Sequence, residues 1–297
     1  MNAGSSWLRA SDGTRIAYRV QGSGPALVLT NGLTTSTVFW KHVAPIWARR
    51  HSVLSWDLPG HGASGPAQSP ESASVEAQAR FVVQLMAAAG IERAVQVGWS
   101  TGCQVVLESY RHAPERCEAL VLILGSAGRV LDTTRLPLDG ALIAKLVRFT
   151  PRPVFRALYR TLSRGTLAPF GDVLGRKLGL IGAGAAREDV RDVLEHIPTV
   201  DPGTLQTLLW SLSQHDATDA LVSARVPSLI IAGDADPFAP ADLVGIPLHE
   251  ASPHSELVRL PEATHTALLD HALEIAEAVE DFVGRAVGDP SGDSNTA

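Results

Sequence analysis

A serine held between two glycines is the residue best placed in this chain for covalent chemistry. In VQVGWSTGCQ (95–104) Ser100 has Gly98 and Gly102 two positions to either side, at the end of an apolar run that reads as a strand. A residue at a sharp strand-to-helix turn is pushed toward unfavourable φ/ψ, and the residues two positions away on each side come close together. Glycine at both removes the Cβ atoms that would collide. The hydroxyl then stands clear of the sheet at a helix N-terminus, where free N–H groups and the helix dipole favour an oxyanion. A serine so placed becomes a nucleophile only with a base to take its proton and an acid to orient that base. Without them, Ser100 is a glycine-flanked turn serine and nothing more.

The elements that must hold such a site are legible on both sides of it. TRIAYRV (14–20), ALVLTN (26–31), SVLSWD (52–57), AVQVG (94–98) and ALVLILG (119–125) read as strands, several of them apolar throughout, as strands buried on both faces are. Helical stretches fall near 37–49, at 74–89 with Val75, Ala79, Val82, Val83 and Met86 on one face, and at about 101–113. Gly90 is in place to cap the second of these. This alternation predicts a mostly parallel sheet with helices on both faces. From about 127 to 222 no convincing strand is found. The rhythm resumes with VPSLIIAGD (226–234), SELVRL (255–260) and a helix over about 267–284. The expected organisation is an α/β core over 1–126 and 223–285, a helical insertion over 127–222, and a disordered Gly/Ser/Asp-rich tail over 286–297.

Bulk properties narrow the function classes. The 297 residues carry a net charge of −6, which gives no reason to expect a nucleic-acid partner. No apolar run approaches the ~20 residues that span a bilayer, so no stable membrane insertion is expected. The N-terminal MNAGSSWLRASDG lacks a basic segment followed by an apolar core, and the expected location is the cytoplasm. The two cysteines, Cys103 and Cys117, have no metal-like or disulfide-like spacing and are expected as buried free thiols. No clustered His/Cys/Glu set and no dinucleotide-binding fingerprint in its strand–turn–helix setting is present, so neither a metal nor another cofactor is implied.

Gly98-Trp99-Ser100-Thr101-Gly102 matches the G-x-S-x-G nucleophile elbow of the α/β-hydrolase superfamily, which the chain resembles from about residue 6 to 285. The resemblance implies a Ser-acid-His triad in that chain order. IIAGDADPFAP (230–240) resembles the segment carrying the acid and places that role on Asp236, with Asp234 as the alternative. Another placement seen in the family, after the strand ending at Leu124, is closed because LGSAG has no carboxylate. LPEATHTALLDH (260–271) places the base on His265, which fits better than His254 or His271. The resemblance further implies two oxyanion-hole donors, the backbone N–H groups of Thr101 and Leu33. The latter lies in TNGLTTS, where Asn31 stands in place of the family's usual histidine; its amide can still bridge the loop. WDLPGHGAS (56–64) resembles a further family loop, and its Asp57 and His61 are read as fixing a tight turn rather than as an acid/base pair.

In this superfamily an insertion at 127–222 forms a cap over the nucleophile. Phe39, Trp40, Trp99, Trp210 and Phe238 are candidates to line the pocket, with core packing as the alternative for each. An aromatic, apolar cap favours a hydrophobic acyl or aryl ester as the small-molecule substrate. A serine nucleophile disfavours dehalogenase and epoxide-hydrolase chemistry, whose relatives use aspartate. Thioester, lactone or carbon–carbon bond cleavage and perhydrolysis use the same triad and stay open. So does a small-molecule receptor with weak or no turnover. Within 141–177 eight basic residues face one acid, so a +7 segment rides on a body of −13. Phe155, Leu158, Tyr159 and Leu162 share one helical face, which is expected to cover the pocket while Arg156, Arg160 and Arg164 point outward.

Overall fold

Each strand of the central sheet alternates its side chains between two apolar layers, and that alternation builds the molecule. The computed structural model describes residues 5–135, 140–166 and 171–287. Its strands are β1 (Ser6–Arg9), β2 (Arg15–Gln21), β3 (Ala26–Thr30), β4 (Ser52–Trp56), β5 (Ala94–Trp99), β6 (Cys117–Ile123), β7 (Ser228–Gly233) and β8 (Ser255–Leu260). They form one sheet in the order β1-β2-β4-β3-β5-β6-β7-β8. From β4 to β8 every pairing is parallel, while β1 and β2 run antiparallel at one edge.

Leu27, Leu29, Val95, Val97 and Val121 point to one face, where they meet Trp47 of α1 (Ala44–Trp47) and Ile275, Val279 and Phe282 of α12 (Ala272–Val287). The intervening residues point the other way. Val28 and Leu54 pack with Phe81 and Leu85 of α2 (Val75–Ala88). Leu120 and Leu122 pack with Val106 and Leu107 of α3 (Gly102–His112) and Leu248 of α10 (Ile246–Ala251). Burial on both faces is why these strands are apolar without interruption.

Several elements depart from the sequence reading. β1 has no apolar run to mark it, because its residues are largely exposed, with the Arg15 guanidinium over the Trp7 ring, 3.6 Å from its centroid. The helix expected near 37–49 divides into a 3₁₀ turn (Thr37–Trp40) and α1, with Pro45 in the first turn of the latter. The final helix divides into α11 (Ala267–Asp270) and α12 at His271, whose imidazole pairs with Glu274 at 2.8 Å. α12 continues to Val287, so 286 and 287 are helical; the rest of the expected tail lies outside the described residues. Among the described residues no helix is long and apolar enough to cross a membrane.

The insertion is helical where described: α4 (Gly140–Phe149), α5 (Arg152–Thr166), α6 (Gly171–Lys177), α7 (Arg187–His196), α8 (Pro202–Gln214) and α9 (Thr218–Val222). It does not own a separate core. Ile181 and Val190 belong to the apolar layer under α12, Leu208 and Leu212 to that under α2, and Ala220 and Leu221 to that beside α3.

Candidate active site

Loops leaving the C-terminal ends of β3, β5, β7 and β8 converge, where open α/β sheets place their ligands. The turn after β5 is as tight as its glycines require. Ser100 has φ +56°, in the left-handed region. A Cβ on Gly98 would lie 2.5 Å from the Gly102 carbonyl oxygen, and one on Gly102 would lie 2.3 Å from that of Thr30. Neither position has room for a side chain.

Ser100 Oγ lies 2.7 Å from His265 Nε2, and His265 Nδ1 lies 2.8 Å from Asp236 Oδ2. The Asp236 carboxylate is buried, and its Oδ1 accepts the N–H groups of Phe238 (2.8 Å) and Ala239 (3.2 Å). Those bonds fix the carboxylate toward the imidazole. The ring of His265 is set between Trp99 and Phe238, with centroids 5.2 and 4.8 Å away. Trp99 Nε1–H also donates to the His265 carbonyl at 3.2 Å, tying His265 to the residue before the serine. Asp234 goes elsewhere: it holds Arg259 at 2.8 and 3.1 Å on the surface.

Leu33 and Thr101 both border the cavity beside Ser100. The loop carrying Leu33 is folded by its own threonines, Thr34 donating to Leu33 O (2.7 Å) and Thr35 to Gly32 O (3.0 Å). Asn31 bridges it from below, donating to Trp56 O at 2.9 Å and accepting the indole N–H of Trp40. That bond removes Trp40 from the pocket candidates, since its indole is buried beneath the loop. Trp210 is also not at the cavity. It lies under the Arg148 guanidinium, 5.3 Å from the ring centroid, and lines a separate surface cleft with Glu71 and Gln214. Phe39, Trp99 and Phe238 do line the cavity.

The cavity has a volume of about 730 Å³, and no Asp, Glu, Lys or Arg appears among the described residues that line it. Much of its wall was not foreseen: Ile143, Leu174, Leu178, Ile181, Val193 and Leu194 come from the insertion. The signal was the leucine-rich stretch around LGRKLGLI (174–181). Polar contacts tie the insertion down beside the site and brace it internally. Lys41 and His42 reach Asp189, the latter at 2.7 Å. Arg176 donates to the carbonyls of Gly182, Ala183 and Ala185, and Gly182 N–H donates to Thr266 Oγ1 at 3.0 Å, next to His265.

α5 turns Phe155 and Tyr159 inward, stacked 6.3 Å apart, and the Tyr159 hydroxyl donates to Ile197 O. Arg156, Arg160 and Arg164 are exposed, as expected. Leu158 and Leu162 are 53% and 63% exposed because packing against α8 fixes the inward line as Phe155–Tyr159–Ser163; of the face expected to cover the pocket, Leu162 lines the cavity and Phe155, Leu158 and Tyr159 do not.

Asp57 and His61 hold a turn rather than each other. Asp57 accepts N–H groups from Thr37 (2.7 Å) and Ala63 (2.9 Å), and burial pushes its carboxyl above the usual range despite them. His61 shares a 2.8 Å bond with Pro59 O through Nδ1, while its Nε2 is buried without a partner. Burial pushes the His61 imidazole down to about 4, with repulsion from His196 adding to it and Asp201 opposing. Protonation is therefore easier in the unfolded chain. Stability from this group is full above the unfolded value near 6.5 and is lost as pH falls from there toward 4, by about 3 kcal/mol in all. Urea titrations of wild type and His61→Asn across that range test it. The variant is expected to flatten the acid limb, and an unchanged limb would exclude His61 as its source.

A deep serine elbow, a hydrogen-bonded histidine and a buried aspartate at the strand ends are the marks of one class of fold. The α/β hydrolase fold family matches residues 25–272, and the chain belongs to it. It is an esterase-like member of that superfamily. It is 27% identical over 268 residues to a pimeloyl-[acyl-carrier protein] methyl ester esterase of Aeromonas hydrophila, covering 89% of this chain and 97% of the relative. A hydrolase from Pseudomonas aeruginosa superposes with a TM-score of 0.74 at 25% identity, over 96% of this chain and all of the other. The enol-lactonase of Burkholderia xenovorans shares the fold, with a TM-score of 0.73 at 21% identity over 94% of this chain and 99% of the other.

Proposed function

We propose that the protein hydrolyses hydrophobic carboxylic esters through an acyl-enzyme on Ser100, with His265 as base and Asp236 as its orienting acid. The observation that carries this reading is the unbroken chain from Ser100 Oγ to His265 (2.7 Å) to Asp236 (2.8 Å), on the wall of a cavity that holds no other titratable side chain among its described residues. His265 takes the serine proton as Oγ bonds to the ester carbonyl carbon, and Asp236 stabilises the imidazolium. The oxyanion is held by the N–H groups of Leu33 and Thr101, each worth about 3–4 kcal/mol in such sites. His265 then protonates the departing alcohol, and a water repeats the steps in reverse to free the acid. The insertion over 127–222 acts as the cap, roofing the cavity with leucine, valine and isoleucine.

A fluorophosphonate and a p-nitrophenyl ester series test this together. Rapid stoichiometric labelling at Ser100 is expected, with kcat/KM rising about fourfold per added methylene until the acyl chain fills the cavity. A carboxylate at the chain end should reverse that gain, because the described residues of the wall offer it no cation. Ligand binding without labelling or turnover would instead make the protein a receptor. Faster thioester or lactone cleavage at matched chain length would move the leaving group, not the triad.

A further inference from the structure

The outer surface of the cap combines two features that soluble surfaces keep apart. Of the fourteen large apolar residues exposed among the described ones, nine lie between Leu142 and Leu178. Phe149 is the most open of all, at 78%. The same stretch carries the eight basic residues and the single acid of 141–177, and that acid, Asp172, is already held by Arg176 at 2.6 Å. Soluble monomers rarely leave a large contiguous apolar patch open to water.

The arrangement has an order. On α5, Arg152, Arg156, Arg160 and Arg164 form one exposed row, and Val154, Leu158 and Leu162 form another on the opposite flank of the helix, roughly 180° round it at 3.6 residues per turn. Both rows are turned away from the inward Phe155–Tyr159 line. The apolar surface also leads to the cavity: Leu162, Leu174 and Leu178 are each more than half exposed and each line the cavity. The arginines do not line it, and among the described residues its wall has no charged partner for a substrate. The positive charge therefore serves the surface from which a substrate comes, not the substrate once bound.

We infer that the cap is a docking face for an anionic lipid bilayer, which places the cavity mouth against the membrane so that neutral apolar esters enter from the lipid. This rests on the ester-hydrolase reading for the nature of the cargo, not for the docking itself. Exposed leucines and Phe149 would enter the boundary between headgroups and acyl chains, while the arginine row meets lipid phosphates with its forked donors. Charge also sets the orientation. The +7 stretch of 141–177 is attracted to an anionic surface while the −13 of all other residues, the rest of the cap included, is repelled, so the approach that brings 141–177 to the membrane is favoured.

Flotation of the full-length protein with phosphatidylglycerol-rich vesicles, against pure phosphatidylcholine vesicles, tests the docking. The protein is expected to float with the first and not the second, and to be released as salt rises. R156Q/R160Q/R164Q should weaken the partition about a hundredfold. F149S/L158S should weaken it at low salt as well, through lost apolar insertion. Both variants should keep the wild-type melting temperature and the wild-type rate on a water-soluble ester, since none of these residues lines the cavity. Ser100→Ala should float like wild type, so failure of the hydrolase reading leaves the docking result standing, and the reverse. The proposal is overturned by equal flotation with both vesicles, by no flotation, or by binding indifferent to the arginine changes. It is equally overturned if the face instead mediates a salt-sensitive dimer, or captures an acidic carrier protein, without vesicle binding.

Discussion

Ser100→Ala is expected to lower kcat on a p-nitrophenyl ester by about 10⁶-fold and to abolish phosphonate labelling, with the fold unchanged. The serine side chain touches the reacting groups and little else. The strain of the turn is carried by the backbone at φ +56° and by the close approach of Gly98 to Gly102, neither of which depends on the hydroxyl. His265→Ala should cost nearly as much, and the double variant little more than either, because nucleophile and base act as one unit. Steady-state kinetics on the three variants, with circular dichroism as a check on folding, decide the matter. A Ser100→Ala enzyme within about tenfold of wild type would exclude the acyl-enzyme route.

Asp236→Asn is expected to cost about 10⁴-fold in kcat, against almost nothing for Asp234→Asn. An asparagine at 236 can keep its oxygen on the Phe238 and Ala239 N–H groups, which leaves its NH₂ facing His265 Nδ1. The imidazole would then have to accept there and carry its proton on Nε2, toward Ser100, where it cannot act as a base. Asp234 has no such contact. Its carboxylate pairs with Arg259 on the surface, an interaction worth at most about 1 kcal/mol to stability. If Asp234→Asn proved the more damaging change, the acid in the proposed mechanism would be misassigned.

The two aspartates show how far residue patterns reach. Both sit in one short turn, two positions apart, and composition cannot separate them. The resemblance favoured Asp236, and the structure adds a reason of its own: the chain after β7 folds back so that Phe238 and Ala239 present their N–H groups to that carboxylate. Asp234 emerges one turn earlier, beside Arg259 of the adjacent β8. Helix breaks were equally hard to read. The last helix breaks at His271, whose imidazole pairs with Glu274 in the first turn of α12, although the apolar period continues across it.

What the amino-acid order determined by itself is the part governed by neighbours along the chain. Apolar runs of strand length, alternating with helical periods, are enough to require a buried parallel sheet. A glycine two residues either side of Ser100 is enough to require a turn in which no Cβ fits. The walls of the cavity were decided by tertiary structure alone. Trp40 and Trp99 are alike as residues, yet Asn31 draws one beneath its loop while His265 and Phe39 hold the other against the cavity. Leu162 belongs to an apolar helical face, yet α8 turns that helix so that Leu162 stands at the mouth and Tyr159 goes inward. Whether a large side chain is core, wall or open surface depends on partners far away in sequence, and those partners exist only once the chain has folded.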